Sequence, residues 1–152
     1  MKKPSKDLLL TLKGEAVGEA SLRSAYFLSP QKHKEKVEAL RKLEGQTKER
    51  VLEYFGKNDI EVPSLWVATT IGTLLGFLLP LIPWTLAMKK VLPVADKGIE
   101  VFRRMELQAS EGDKEFFAYV VAHEVAIRRF AEMELEGSEQ SSLEPVTALL
   151  EG

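Results

Sequence analysis

Apolar residues recur every three to four positions along most of the chain, which is the period of an amphipathic helix. The pattern predicts a first helix over residues 6–28, a second over 31–55 and a third over 94–109. A fourth helix is expected to follow a cap at Ser110 or Asp113 and to reach about residue 135. No alternating strand pattern and no glycine-rich phosphate loop is present. The sequence therefore predicts an all-α fold.

Serine and proline mark the expected helix boundaries. Ser5 is expected to cap the first helix and Ser29 the second, with Pro30 at the first helical position. Three later prolines should kink or interrupt any helix that passes through them, because proline lacks the backbone N–H. These are Pro80, Pro83 and Pro93. We therefore expect the third helix to begin only after the last of them.

The segment from Leu65 to Met88, called the uncharged segment below, has no charged residue over more than the roughly 20 positions that cross a bilayer. It also contains two glycines four residues apart, Gly72 and Gly76, a spacing that lets two helices approach closely. A membrane span, a helix that touches a membrane surface, and a buried or dimer-forming helix all remain open. A span would leave the helices on either side of it with unburied apolar faces. We therefore expect a proline-kinked crossover, as one bent helix or two short ones, that is buried in the fold or provides a homodimer or peripheral membrane contact.

Composition narrows the class of protein. With 152 residues, 45% apolar and 29% charged, the chain is expected to form one globular domain over 1–137, followed by a polar tail at 138–152 with a last helical turn over 145–150. The apolar patch after the basic N-terminus is too short for a signal peptide, so a cytoplasmic location is expected. The net charge of −2 gives no basic excess for nucleic acid. Because the chain has no cysteine, a metal would need carboxylate or histidine ligands.

Three of the predicted helices carry ionisable residues on their apolar faces. The helical period places Glu15 and Glu19 inward on the first helix, Glu44 inward on the second and His123 inward on the fourth. A buried carboxylate must be protonated, paired or bound to a cation. Their convergence would be explained by a metal site with these four residues as ligands, and carboxylate oxygens with an imidazole suit iron, manganese or zinc.

A metal-free interpretation is also open. If the apolar face of the first helix is shifted by one position, Glu19 lies one turn before Arg23 and the two side chains could form an ion pair. Glu44 could likewise pair with Arg41 or Lys48. In this second hypothesis the inward acids are satisfied by hydrogen bonds within the protein. The uncharged segment then forms a homodimer or partner interface.

The order of these helices and of their inward residues resembles the ferritin-like four-helix bundle. Di-iron members of that superfamily take a carboxylate from the first and third helices and a Glu-x-x-His pair from the second and fourth. Within it, the chain is most similar to the demethoxyubiquinone hydroxylases, through Gly14-Glu15-Ala16 with Gly18 and through Pro63-Ser64-Leu65-Trp66 before the uncharged segment with Ala87-Met88. The resemblance covers about 8–135. It implies a redox enzyme with an apolar surface that contacts the membrane, where its quinone-ring substrate is found.

The resemblance carries over to only part of the di-iron ligand set. Glu15 matches the first-helix ligand and Glu44 the first residue of the second-helix pair, but Thr47 replaces the histidine of that pair. His123 matches the fourth-helix histidine, and Val120 stands where a glutamate is expected. The nearest acids of the third helix, where no residue aligns cleanly, are Asp96 and Glu100. The resemblance implies either a reduced site with one iron or manganese ion and an oxidoreductase of unknown substrate, or a bundle that has lost its metal.

Overall fold

A computed structural model describes all 152 residues, and every regular element in it is a helix. The six α-helices are α1 (Lys6–Leu28), α2 (Gln31–Lys57), α3 (Trp66–Leu78), α4 (Trp84–Gln108), α5 (Lys114–Leu135) and α6 (Glu144–Glu151). The all-α prediction is confirmed. The residues group into two compact units, Met1–Leu81 and Ile82–Gly152. The expected division into a domain at 1–137 and a tail at 138–152 stays a prediction.

The first unit contains the hairpin of α1 and α2, with α3 packed on α1. Ser5 caps α1 as predicted, because its hydroxyl oxygen accepts a hydrogen bond from the backbone N–H of Leu8 at 3.2 Å. The prediction for Ser29 is wrong. Its hydroxyl donates to the carbonyl oxygen of Ala25 at 2.7 Å, and its backbone N–H donates to the same oxygen at 2.9 Å, so Ser29 closes the last turn of α1. Pro30 takes the N-cap position of α2 instead.

Small residues form the contact between α3 and α1. The buried residues of α3 are Ala68, Gly72 and Gly76. A Cβ at Gly72 would lie 2.5 Å from the carbonyl oxygen of Val17, so only glycine allows this approach. The hydroxyl of Ser24 adds a hydrogen bond across the same contact, to the carbonyl oxygen of Thr73 at 2.9 Å. The two glycines therefore serve helix packing within the first unit.

The uncharged segment does not form one helix. It breaks after α3, where residues Leu79–Leu81 form a 3₁₀ helix, and Pro83 then occupies the N-cap position of α4. The prediction that the third helix starts after Pro93 is wrong, since Pro93 lies inside α4. An internal proline costs a helix about 3 kcal/mol, which the packing of α4 on α5 offsets. None of the helices is both long enough and apolar enough to cross a membrane.

The second unit contains the hairpin of α4 and α5, with α6 packed on α5. The predicted end of the fourth helix at Leu135 is confirmed. The expected last helical turn is part of α6, where Val146 is fully buried. Glu134 is a buried carboxylate that accepts a hydrogen bond from the indole N–H of Trp84 at 2.6 Å and another from the hydroxyl of Ser142. This carboxylate connects α4, α5 and the turn before α6.

Candidate metal centre

Two glutamate carboxyl groups meet in the first unit, one from α1 and one from α2. Glu15 is only 3% exposed, and Glu44 is half-buried. A carboxylate oxygen of each lies within 4.8 Å of the other, and the two side chains are hydrogen-bonded. An ionised carboxylate is only an acceptor, so this hydrogen bond requires a proton on one of the two groups. The helices thus bring together two of the four predicted ligands as a proton-sharing pair.

Gly18 provides the space for the Glu44 carboxyl group. A Cβ at this position would lie 2.6 Å from Oε2 of Glu44 and 2.8 Å from its Cδ, which is closer than real Cβ contacts allow. Gly18 lies almost one turn after Glu15 on the same helix, so it opens α1 beside the carboxyl pair. In contrast, a Cβ at Gly14 would meet nothing within 4 Å. The sequence Gly-Glu-Ala occurs twice on α1, at 14–16 and at 18–20, and only the second copy has a glycine that shapes this pair.

The environment of Glu44 favours its neutral form. The pKa of Glu44 is raised to about 7, because burial and the negative charge of Glu19 raise it by more than the hydrogen bond with Glu15 lowers it. Near neutral pH this carboxyl group is therefore close to its titration midpoint. A cation that binds there has to displace a proton, and it would replace that proton with a stronger positive charge.

Glu19 already has two cationic partners. Its carboxylate accepts a hydrogen bond from Arg23 at 2.5 Å and another from Lys48. Burial raises the pKa of Glu19, but the hydrogen bonds and charges of these two cations outweigh it and bring the pKa below its usual value. The expected pairing of Glu19 with Arg23 is confirmed. The cations proposed as partners for Glu44 bind elsewhere, Lys48 to Glu19 and Arg41 to another glutamate of α2.

His123 lies on α5 in the second unit and is only 1% exposed. Burial lowers the pKa of His123 to about 3, so its imidazole is neutral at physiological pH. The neutral imidazole is the form that binds metal ions, and it is also the form that a protein interior accommodates most easily. That His123 belongs to the same ligand set as Glu15 and Glu44 stays a prediction.

The acids nearest to the expected third-helix ligand form ion pairs at the surface. Asp96 accepts a hydrogen bond from Arg128 at 2.6 Å, and Glu100 pairs with Lys97 at 3.2 Å. Both acids are exposed. Both side chains therefore stay in contact with water, whereas Glu15 is buried and Glu44 is half-buried.

Glu124 on α5 is an inward acid that sequence reasoning missed. A Cβ at Gly98 of α4 would collide with its carboxyl group, just as one at Gly18 would collide with that of Glu44. In both hairpins the glutamate follows its glycine by 26 residues, and the two glycines are 80 residues apart. α1 and α4 also end 80 residues apart. This repeated Gly–Glu spacing is visible in the sequence and would have identified Glu124.

Comparison with protein-family models, with characterised proteins and with solved structures gives no match. The resemblance to the ferritin-like superfamily therefore stays a prediction from the sequence. The donor set fits that prediction in part. Glu15 and Glu44 supply carboxylates, but Thr47 and Val120 are buried residues that offer no imidazole or carboxylate, so the donors present suit one metal ion better than two.

Proposed function

We propose that this chain is a helical metal-binding protein whose site is built on the carboxyl groups of Glu15 and Glu44. The observation that supports this proposal most is the contact of the two carboxyl groups, from different helices, in a space that Gly18 keeps open. A divalent cation bound between them would neutralise both carboxylates and remove the repulsion that otherwise keeps a proton there.

The donor chemistry suggests which metals to test. Carboxylate oxygens suit iron and manganese, and a neutral imidazole would add zinc to that list. Bound iron or manganese would supply one-electron redox chemistry, which is the basis for proposing an oxidoreductase. The ferritin-like class is proposed on the order of the helices and on the equal Gly–Glu spacing of the two hairpins.

The first test is the metal content of the full chain, purified without an affinity tag or detergent and loaded anaerobically with ferrous iron. Wild type is expected to retain about one iron per chain after desalting. Glu44→Gln keeps the size of the side chain but cannot provide an anionic ligand, so it should lose most of the bound iron. Glu49→Gln is the matched control, because Glu49 is an exposed acid on the same helix.

The same measurement tests His123. If the sequence prediction is correct, His123→Ala loses iron while the control His33→Ala retains it. If His123→Ala retains iron, the ligand set is confined to the first unit. Circular dichroism must show that each variant is folded. A folded wild type that takes up no iron, manganese or zinc would refute the proposal and leave the acid pair as a structural feature.

A further inference from the structure

The outward face of α3 is a large apolar surface. From residue 66 to residue 81, nine large apolar side chains are at least one-third exposed, with Leu74 at 62% near the middle. The opposite strip of α3 carries the small residues that pack on α1. This is the reverse of an ordinary amphipathic helix, whose large apolar residues face the core. We call residues 66–81, on their exposed side, the α3 face.

The area of the α3 face is large for a monomer. If a large side chain offers roughly 180 Å², nine of them at about half exposure present on the order of 800 Å². Soluble monomers seldom expose a contiguous apolar patch of more than a few hundred Å². About 800 Å² is what each partner contributes to a stable interface of standard size. The α3 face is therefore large enough for a complete interface.

Two threonine hydroxyls on the α3 face do not oppose burial. The hydroxyl of Thr70 donates to the carbonyl oxygen of Trp66 at 2.8 Å, and that of Thr73 donates to the carbonyl oxygen of Thr69 at 2.9 Å. These hydroxyl protons are satisfied within the helix. A partner can therefore cover Thr70 and Thr73 without leaving their hydroxyl protons unpaired.

We infer that the α3 face is a homodimer interface that binds the same face of a second copy of this chain. The face carries no charged residue, and the chain has a net charge of −2. Peripheral helices hold anionic lipid headgroups through lysine and arginine, which the α3 face lacks. An uncharged apolar face is complementary to itself, and a twofold axis brings identical surfaces together.

Sedimentation velocity of the full chain in detergent-free buffer tests this inference. Wild type should sediment with twice the 17.0 kDa mass of one chain. Leu74→Glu places a charge in the middle of the face, so it should raise the dimer dissociation constant at least about tenfold. Leu107→Glu is the matched control, since Leu107 is 88% exposed on α4, and it should leave the dimer intact. A wild type that stays monomeric at high micromolar concentration would overturn the inference, whether or not it binds phosphatidylcholine vesicles.

A cysteine scan provides a second test that does not rely on a charged substitution. The natural chain has no cysteine, so a single introduced cysteine is the only thiol. Under mild oxidation Leu74→Cys, near the middle of the α3 face where a twofold axis brings the two copies closest, should give a disulfide-linked dimer at low protein concentration, while Leu107→Cys should stay largely monomeric. Equal cross-linking of the two variants would show random collision and contradict a specific interface.

Discussion

The pKa of Glu44 predicts how the stability of the metal-free protein depends on pH. The pKa rises from its ordinary value of 4.5 to about 7 on folding, so between these pH values the folded state binds more protons than the unfolded state. The free energy of unfolding therefore decreases as pH rises through this window. A difference of about 2.5 pKa units corresponds to about 3 kcal/mol.

His123 has the opposite effect. Its pKa falls from 6.5 to about 3 on folding, so between these values the unfolded state binds more protons. The free energy of unfolding therefore decreases as pH falls below 6.5. From pH 6.5 to pH 5 this loss is about 2 kcal/mol. Over the same interval protonation of Glu44 adds about 2 kcal/mol to stability, so the two contributions nearly cancel in wild type.

Two substitutions by glutamine, which carries no ionisable group, separate these contributions. When the pH falls from 6.5 to 5, the free energy of unfolding of Glu44→Gln should decrease by about 2 kcal/mol relative to wild type. That of His123→Gln should increase by about 2 kcal/mol relative to wild type. Urea unfolding followed by circular dichroism, in EDTA to keep the protein metal-free, measures both differences. Glu49→Gln serves as the control, because it changes an exposed acid. If all four proteins show parallel pH profiles, the reasoning that burial controls these two groups is wrong.

Two further pairs of substitutions test the packing contacts by urea unfolding. Gly14→Ala should raise stability by about 0.5–1 kcal/mol, because nothing lies near its Cβ, whereas Gly72→Ala should cost about 1–3 kcal/mol through collision with Val17 of α1. Equal effects of the two would contradict the close α1–α3 contact. Trp84→Phe removes the donor to buried Glu134 and should cost about 1–3 kcal/mol, while Phe27→Leu, at an exposed position of α1 outside the α3 face, should change stability by less than about 0.5 kcal/mol. A neutral Trp84→Phe would mean that this hydrogen bond contributes little.

The helices were predicted correctly where local sequence signals, such as a cap or a strong apolar period, determine their boundaries. Strong periodicity and a serine cap placed α1 correctly, and the same periodicity predicted α2 and α5 to within a few residues. The start of α4 was missed because proline disfavours a helix by a finite energy and does not forbid one. Whether a helix continues through Pro93 depends on its packing against α5, which a local pattern does not contain.

For the acids too, the local pattern predicted which positions are buried but could not predict their partners. The helical period correctly placed Glu15 and Glu19 on the buried side of α1, where an ionised side chain is unusual. It could not separate their environments, because that difference comes from α2. Lys48 of α2 reaches Glu19, whereas Glu44 of α2 reaches Glu15. Glu19 therefore forms an ion pair, whereas Glu15 forms a pair of carboxyl groups with Glu44.

A comparison of the two hairpins shows which feature they share and which feature occurs only at the candidate metal site. Gly18 with Glu44 and Gly98 with Glu124 show that each hairpin accommodates one inward glutamate beside a glycine. The residue 80 positions after Glu15 is Ala95, which is buried and carries no carboxyl group. A glutamate beside a glycine is therefore a feature of the hairpin in both units, and by itself it says little about metal binding. The second carboxyl group, from Glu15, distinguishes the first hairpin, and it is the reason to look for the metal there.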